Sequence, residues 1–241
     1  MDNKLSIFSI FKSVSGEVSP TIPQGSVCTF IRFAGCNLPE EFDNPCAWCD
    51  TRYAQETKSG KIMTISDIVK KVEKIGCNNV IITGGEPLYQ KDNFINLCSD
   101  VSEKGYMTSI ETNGTYSCPD ILYEDFYNNI RWVVDWKLKS SNVSYPSTLK
   151  LKNILSYPPE NTFVKFVVTS KQDFNEAIIA MKKIQKEFHY QGTDYNPRFA
   201  FSPAWDVQPI DLYNWMKERK ALNDSILNVQ LHKVFKFNEE K

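Results

Sequence analysis

"ISDIVKKVEKIGCNNVIITGGEP", residues 65–87, holds the change of period on which the fold turns. Its first part, 65–76, spaces Ile65, Ile68, Val69 and Val72 three and four residues apart, which is one face of an amphipathic helix. "NVIIT" (79–83) follows as a short β-branched run, the mark of a buried strand. The alternation continues outward. Upstream, "VCTFIRF" (27–33) reads as a strand. Downstream come a helix within 91–104, the strand "MTSIET" (107–112), a helix near 119–128 and the strand "WVVDW" (132–136). "TFVKFVVT" (162–169), a long helix in 172–188, "RFAFS" (198–202), a helix in 209–222 and a last strand near 226–231 complete the series.

Strands separated by helices pair in parallel, with the helices as crossovers. Six or so such units predict an α/β chain, a partial (β/α)6-type barrel in one domain over 1–241, with its chemistry at the carboxyl ends of the strands. The polar stretches near 138–147 and 189–197 read as loops and not as linkers.

A length of 241 residues, 41% hydrophobic and 24% charged, is that of a globular chain with a sizeable core. The formal charge of -1 supplies no basic field for nucleic acid. "MDNKLSIFSIF" (1–11) lacks the long apolar region of a signal peptide, and no later run approaches a membrane span. A cytoplasmic location is expected. There the seven cysteines stay reduced, and clustered ones are metal ligands or catalytic groups before they are disulfides.

"RFAGCNLPEEFDNPCAWCDT" (32–51) carries Cys36, Cys46 and Cys49, with nine residues in the first gap and two in the second. The close pair can serve one metal centre from a single turn, and Cys36 closes the loop from the strand end. Cys28 shares a strand face with Arg32 and, at roughly 3.3 Å per residue, lies about 13 Å short of it, in the barrel interior. Cys77, Cys98 and Cys118 read as small buried hydrophobes. His189 and His232 are too few for a separate imidazole site, although either can supply a fourth zinc ligand. Two readings stay open: a structural zinc, which wants four ligands, or a [4Fe–4S] cluster on three thiolates with one iron left for a small molecule.

"TGGEP" (83–87) ends the second strand of the series, its glycines removing side chains where a ligand approaches the barrel mouth. "ETNG" (111–114) ends the third, either as a helix-capping turn or as a further wall of the same mouth. With these pieces the sequence resembles the radical S-adenosylmethionine (SAM) enzymes. Trp48, between the close cysteines, matches that pattern. Within the superfamily it is similar to the 7-carboxy-7-deazaguanine synthases in "SGEV" (15–18), "FIRFAGCNL" (30–38), "CAWCDT" (46–51), "TGGEPLYQ" (83–90), "DWKLKSS" (135–141), "FSPAW" (201–205) and "QLHK" (230–233).

The resemblance implies a lyase that converts 6-carboxy-5,6,7,8-tetrahydropterin to 7-carboxy-7-deazaguanine, a ring contraction with loss of ammonia. It implies a [4Fe–4S] cluster on Cys36, Cys46 and Cys49, with the chemistry carried by cluster and SAM and by no catalytic side chain. SAM would lie against Trp48, Cys49, Asp50, Gly84, Gly85 and Glu86, with Asp135, Lys137, Ser202 and Pro203 at further strand ends. Substrate would meet Ser15, Gly16, Glu17, Thr83 and His232, and Arg32 would pair with its carboxylate. Thr51 would bind Mg2+. A homodimer and a flavodoxin-like reductant are implied as well. Two departures stand out: the nine-residue first gap, and Ser15 and Val18 where the family has glutamine and glycine. Val18 lacks glycine's left-handed freedom. The rival readings are a radical activase acting on a partner protein and a zinc-stabilised binding module.

Overall fold

The computed structural model describes residues 3–42, 46–123, 128–192, 195–204, 206–219, 223 and 225–235, apart from the side chains of Asp92, Ile121, Tyr123, His232 and Lys233. Its strands are β1 (Lys4–Val14), β2 (Val27–Phe33), β3 (Lys61–Thr64), β4 (Asn79–Gly84), β5 (Met107–Thr112), β6 (Ile130–Asp135), β7 (Thr162–Val168), β8 (Arg198–Pro203) and β9 (Ser225–Leu227). The helices are α1 (Leu38–Glu41), α2 (Ile65–Ile75), α3 (Lys91–Glu103), α4 (Ser147–Ile154), α5 (Lys171–Tyr190), α6 (Pro209–Glu218) and α7 (Leu231–Phe235).

The strands form one sheet in the order β3-β1-β2-β4-β5-β6-β7-β8-β9. From β2 through β9 every pairing is parallel, whereas β1 runs antiparallel to both β2 and β3. The partial barrel is therefore an open sheet, with β3 and β9 at its two edges. Among the described residues no helix is long and apolar enough to cross a membrane.

Period two sorts the side chains. One face of the sheet sends Ile31, Phe33, Ile82, Ile110, Trp132, Val134, Phe166 and Phe201 into the main core beneath α2, α3, α5 and α6. The residues between them, Arg32, Thr83, Glu111, Asp135 and Lys165, point to the opposite, concave side. Below these lie two apolar floors, Val18 with Val133, Phe163 and Ala200, and Ile22 with Cys28 and Ile81. A strand whose lower half is apolar on both faces and whose upper half is polar on one is what a parallel sheet with a site at its carboxyl edge requires.

Local signals place the helices. The Thr64 hydroxyl accepts from Asp67 N–H at the start of α2, and Gly76 ends it with φ 74°. Ser170 caps α5 in the same way, accepting from Asp173 N–H.

Several boundaries differ from the sequence reading. The segment considered above only as a possible leader forms β1, because Leu5, Ile7 and Phe11 bury against the sheet. The helix expected near 119–128 is a short 3-10 turn at Asp120–Tyr123, and 124–127 lie outside the described residues. α6 ends at Glu218 and not at 222. α4 follows the polar 138–147 loop and buries Leu151 and Ile154. The last strand is the three residues Ser225–Leu227.

Candidate active site

β2 and β4 lie side by side with Arg32 opposite Thr83 and Phe33 opposite Gly84. Beyond that register the two chains draw closer still. Gly85 N–H donates to Phe33 O at 3.0 Å and Glu86 N–H to Gly35 O at 2.8 Å. A Cβ on Gly85 would stand 2.0 Å from Gly35 O, and one on Gly84 2.3 Å from Phe33 O. The paired glycines thus admit the backbone that leads into the cysteine loop, and they still line the cleft above it.

The carboxyl of Glu86 turns away from that cleft. It is fully buried and accepts from Leu88 N–H at 3.1 Å, Thr112 Oγ1 at 2.8 Å and Asn113 N–H at 2.7 Å. Burial pushes its pKa up to about 7, and those donors pull the other way. The side chain is a strut between the ends of β4 and β5, and the backbone is engaged as well, its N–H with Gly35 O and its carbonyl with Tyr89 N–H at 3.1 Å.

The cysteine loop starts with Cys36 N–H bonded to Gln55 O at 2.8 Å and is held further on by Ala47 N–H to Ser141 O at 3.0 Å. Cys36, Cys46 and Cys49 are free thiols that line one cleft together with Trp48, Asp50, Thr51, Gly84 and Gly85. Burial raises the thiol of Cys36 to about 11 and also raises that of Cys46, while Lys137 opposes both shifts. Asn113 Nδ2 sits 4.0 Å from Cys36 Sγ. Among the described residues no three His, Cys, Asp or Glu side chains converge as ligands of a single ion, so the tetrahedral set of a structural zinc is not assembled there. Thiolates of a cluster reach separate irons and do not share one point, and three of them beside a buried ammonium and an amide N–H donor are a donor set that fits an anionic iron–sulfur cluster.

Thr51 precedes the 3-10 turn Arg52–Ala54, yet its hydroxyl makes no capping bond. It lies 3.3 Å from Gly84 O and 3.7 Å from Cys49 Sγ. That places a hard oxygen between the cysteine loop and the adjoining pocket, which both Thr51 and Asp50 line.

This second pocket holds Arg32, Thr83, Glu17 and Glu111. Arg32 is buried, with its guanidinium 5.5 Å from the Phe11 ring centre and 5.6 Å from that of Tyr53, whose hydroxyl it also meets. Thr83 Oγ1 donates to Glu111 Oε2 at 2.7 Å. Burial, and then the Glu17 carboxylate, push the Glu111 carboxyl up, while Lys165 and Thr83 pull it down. On the cofactor side Lys137 Nζ stands 2.6 Å from Asp135 Oδ2 and 4.7 Å from the Trp48 ring centre. Burial alone would lower the Lys137 pKa, but Asp135 and Cys46 more than offset it.

A family model described as the Radical SAM superfamily matches residues 30–130. A 7-carboxy-7-deazaguanine synthase of Clostridium acetobutylicum is 33% identical over 228 residues, covering 93% of this chain and 92% of that protein. The chain belongs to the 7-carboxy-7-deazaguanine synthase family. A further member of that name, from Koribacter versatilis, is 28% identical over 245 residues and covers 98% of this chain and 99% of its own. The crystal structure of QueE from Escherichia coli shares the fold, with a TM-score of 0.66 and 20% identity over 94% of each chain. Membership in this radical SAM family brings with it a [4Fe–4S] cluster and SAM.

Against this synthase framework, the expected residues divide into three groups. Glu17, Arg32, Trp48, Asp50, Thr51, Thr83, Gly84, Gly85, Asp135, Lys137 and the three cysteines line the two pockets, and Gly16 borders the second. Ser15, Glu86, Ser202 and Pro203 do not: Ser15 Oγ bonds Glu17 O at 3.2 Å, Glu86 is buried against the end of β5, and Ser202 Oγ accepts from Asn228 Nδ2 at 2.8 Å. The His232 side chain lies outside the described residues. Val18, placed where the family has glycine, needs no left-handed backbone and packs into the apolar floor. Asn113 of "ETNG" lines the first pocket as a wall, whereas the sequence reading missed Lys165 and Gln230 as site residues, and both line the same pocket. Lys165 carried a signal, a charge inside the apolar run "TFVKFVVT".

Proposed function

We propose that the chain converts 6-carboxy-5,6,7,8-tetrahydropterin to 7-carboxy-7-deazaguanine, with loss of ammonia, using a [4Fe–4S] cluster, SAM and Mg2+. The observation that carries this is the junction of the two pockets. A buried guanidinium, Arg32, and a pair of carboxyls, Glu17 and Glu111, share Thr83, Asp50 and Thr51 with the cysteine-lined cleft. A small molecule with one carboxylate and an N–H-rich edge fits such a pocket.

Cys36, Cys46 and Cys49 would hold the cluster, and the Gly84–Gly85 backbone together with Asp135 and Lys137 would bracket SAM. When bound, the cluster and SAM supply the radical that takes a hydrogen atom from the substrate. The protein's own residues do the positioning. Arg32, clamped between Phe11 and Tyr53, pairs with the substrate carboxylate in a fixed orientation. Glu17 accepts N–H donors from the ring edge, and the Thr51 hydroxyl would hold Mg2+, a hard cation that would help to orient the substrate. The apolar floor formed by Val18, Val133, Phe163 and Ala200 keeps water from below.

The implied setting is cytoplasmic, with a homodimer reduced by a flavodoxin-like protein and the chain acting as a single domain. The test is an anaerobic incubation of reconstituted protein with the carboxytetrahydropterin, SAM, Mg2+ and a reductant, read by product mass. Formation of the deazaguanine supports the reading. Release of 5′-deoxyadenosine only when a protein partner is added, with no deazaguanine, would instead favour an activase.

A further inference from the structure

Lys165 sits in the middle of β7 with its ammonium buried, flanked by Val164 and Phe166 of the main core. The strand register sets it directly opposite Asp135. Its Nζ lies 2.6 Å from Glu17 Oε2 and 3.3 Å from Asp135 Oδ1. Gln230 Nε2 donates to the other oxygen of Glu17, and the second oxygen of Asp135 meets Lys137. The sequence Gln230, Glu17, Lys165, Asp135, Lys137, Trp48 is thus a continuous line of polar contacts from the substrate pocket to the cysteine loop.

We propose that Lys165 is a positioning residue for the substrate: it holds the Glu17 carboxylate aimed at the ring edge, and anchors it to Asp135 on the cofactor side. This rests on the reading of the Glu17 pocket as the pterin site. The physical reason is charge. Glu17 and Asp135 both act on Glu111 across this patch, and carboxylates in such proximity repel one another unless cations stand among them. Lys137 is already engaged with Asp135. With Lys165 removed, Glu17 would lose the contact that fixes the direction of its carboxylate, and taking a cation out of a buried ion pair is strongly disfavoured.

The test uses the reconstituted holoenzyme and four variants, Lys165→Met, Lys165→Arg, Glu17→Gln and the Glu17→Gln/Lys165→Met double. For each, equilibrium pterin binding is followed by fluorescence, KM and kcat are measured separately, and 5′-deoxyadenosine formed without pterin is recorded. Lys165→Met should weaken pterin binding and raise KM by roughly tenfold or more, and the deoxyadenosine formed without pterin measures separately any loss on the cofactor side, where Lys165 also meets Asp135. Lys165→Arg should recover part of the loss. On the Glu17→Gln background the same Met substitution should cost only about twofold, because the charge it compensates is gone. Unchanged pterin binding in Lys165→Met, or an undiminished effect in the double variant, overturns the proposal. A parent enzyme that cleaves SAM yet makes no deazaguanine removes the pterin reading, and the proposal with it. A parent that makes deazaguanine while Lys165→Met binds pterin normally removes the proposal alone.

Discussion

Glu86 shows how one residue of a recognisable motif divides its work. Its carboxyl holds the ends of β4 and β5 together from inside the protein, so it binds a proton more tightly folded than unfolded. As pH rises from 4.5 to about 7, the unfolded chain has already ionised and the native state must follow, which costs it roughly 3 kcal/mol across that window. Glu86→Gln removes the titration. Urea unfolding should show the stability of the parent relative to the variant falling by about that amount between those pH values, and a constant difference would contradict the assignment. Cys46→Ala should leave the fold intact, as the thiol packs in a small satellite cluster apart from the main core, and should abolish SAM cleavage. Arg32→Ala should reduce deazaguanine formation by at least about tenfold while slow uncoupled cleavage of SAM persists, as product and deoxyadenosine counts would show. The cysteines were legible because their spacing is local. Lys165 and Gln230 were not, because each owes its role to strand register or to a chain segment far away in sequence, as when Gln230 reaches Glu17.

At the scale of elements, the glycines after β4 answer to a close approach of two chains before they answer to a ligand. Gly85→Ala would drive a methyl into Gly35 O, and unfolding should show a loss of at least about 3 kcal/mol. Gly76→Ala, at a helix end where the nearest neighbour is 3.9 Å away, should cost only about 1 kcal/mol of left-handed backbone strain. Equal losses would show that the strand contact is not the constraint. The sequence pattern revealed α2 and the parallel strands because their periods are regular. It did not reveal β1, whose eleven residues are stabilised by pairing on both sides with β2 and β3. Nor did it reveal that the nine-residue cysteine gap contains α1, pinned by Tyr89 to Glu40 at 2.6 Å and Tyr116 to Glu41 at 2.9 Å. Such tyrosine contacts join segments about 50 and 75 residues apart, beyond the reach of any local signal.

For the whole molecule, parallel strands deliver their carboxyl ends to one edge of the sheet, and the charged site lies along it. Alternating strands and helices made that much readable in advance. The partial barrel expected from them is the open sheet found; that β1 and β3 extend one end of it was not readable, since their places depend on pairing between distant segments. An open sheet has unequal ends: amide hydrogen exchange should be fastest in β3 and β9 and slowest in β4 through β7, whereas uniform protection would indicate a closed barrel. The central claim is that three thiolates of one loop hold a cluster with an iron left open beside the Gly84–Gly85 backbone. The most direct measurement is paramagnetic resonance of the anaerobically reconstituted, reduced chain, with and without SAM. The account predicts a [4Fe–4S] signal that changes when SAM is added and vanishes in Cys36→Ala, Cys46→Ala and Cys49→Ala. A chain that takes up no iron and sulfide, or a signal indifferent to SAM, would contradict it.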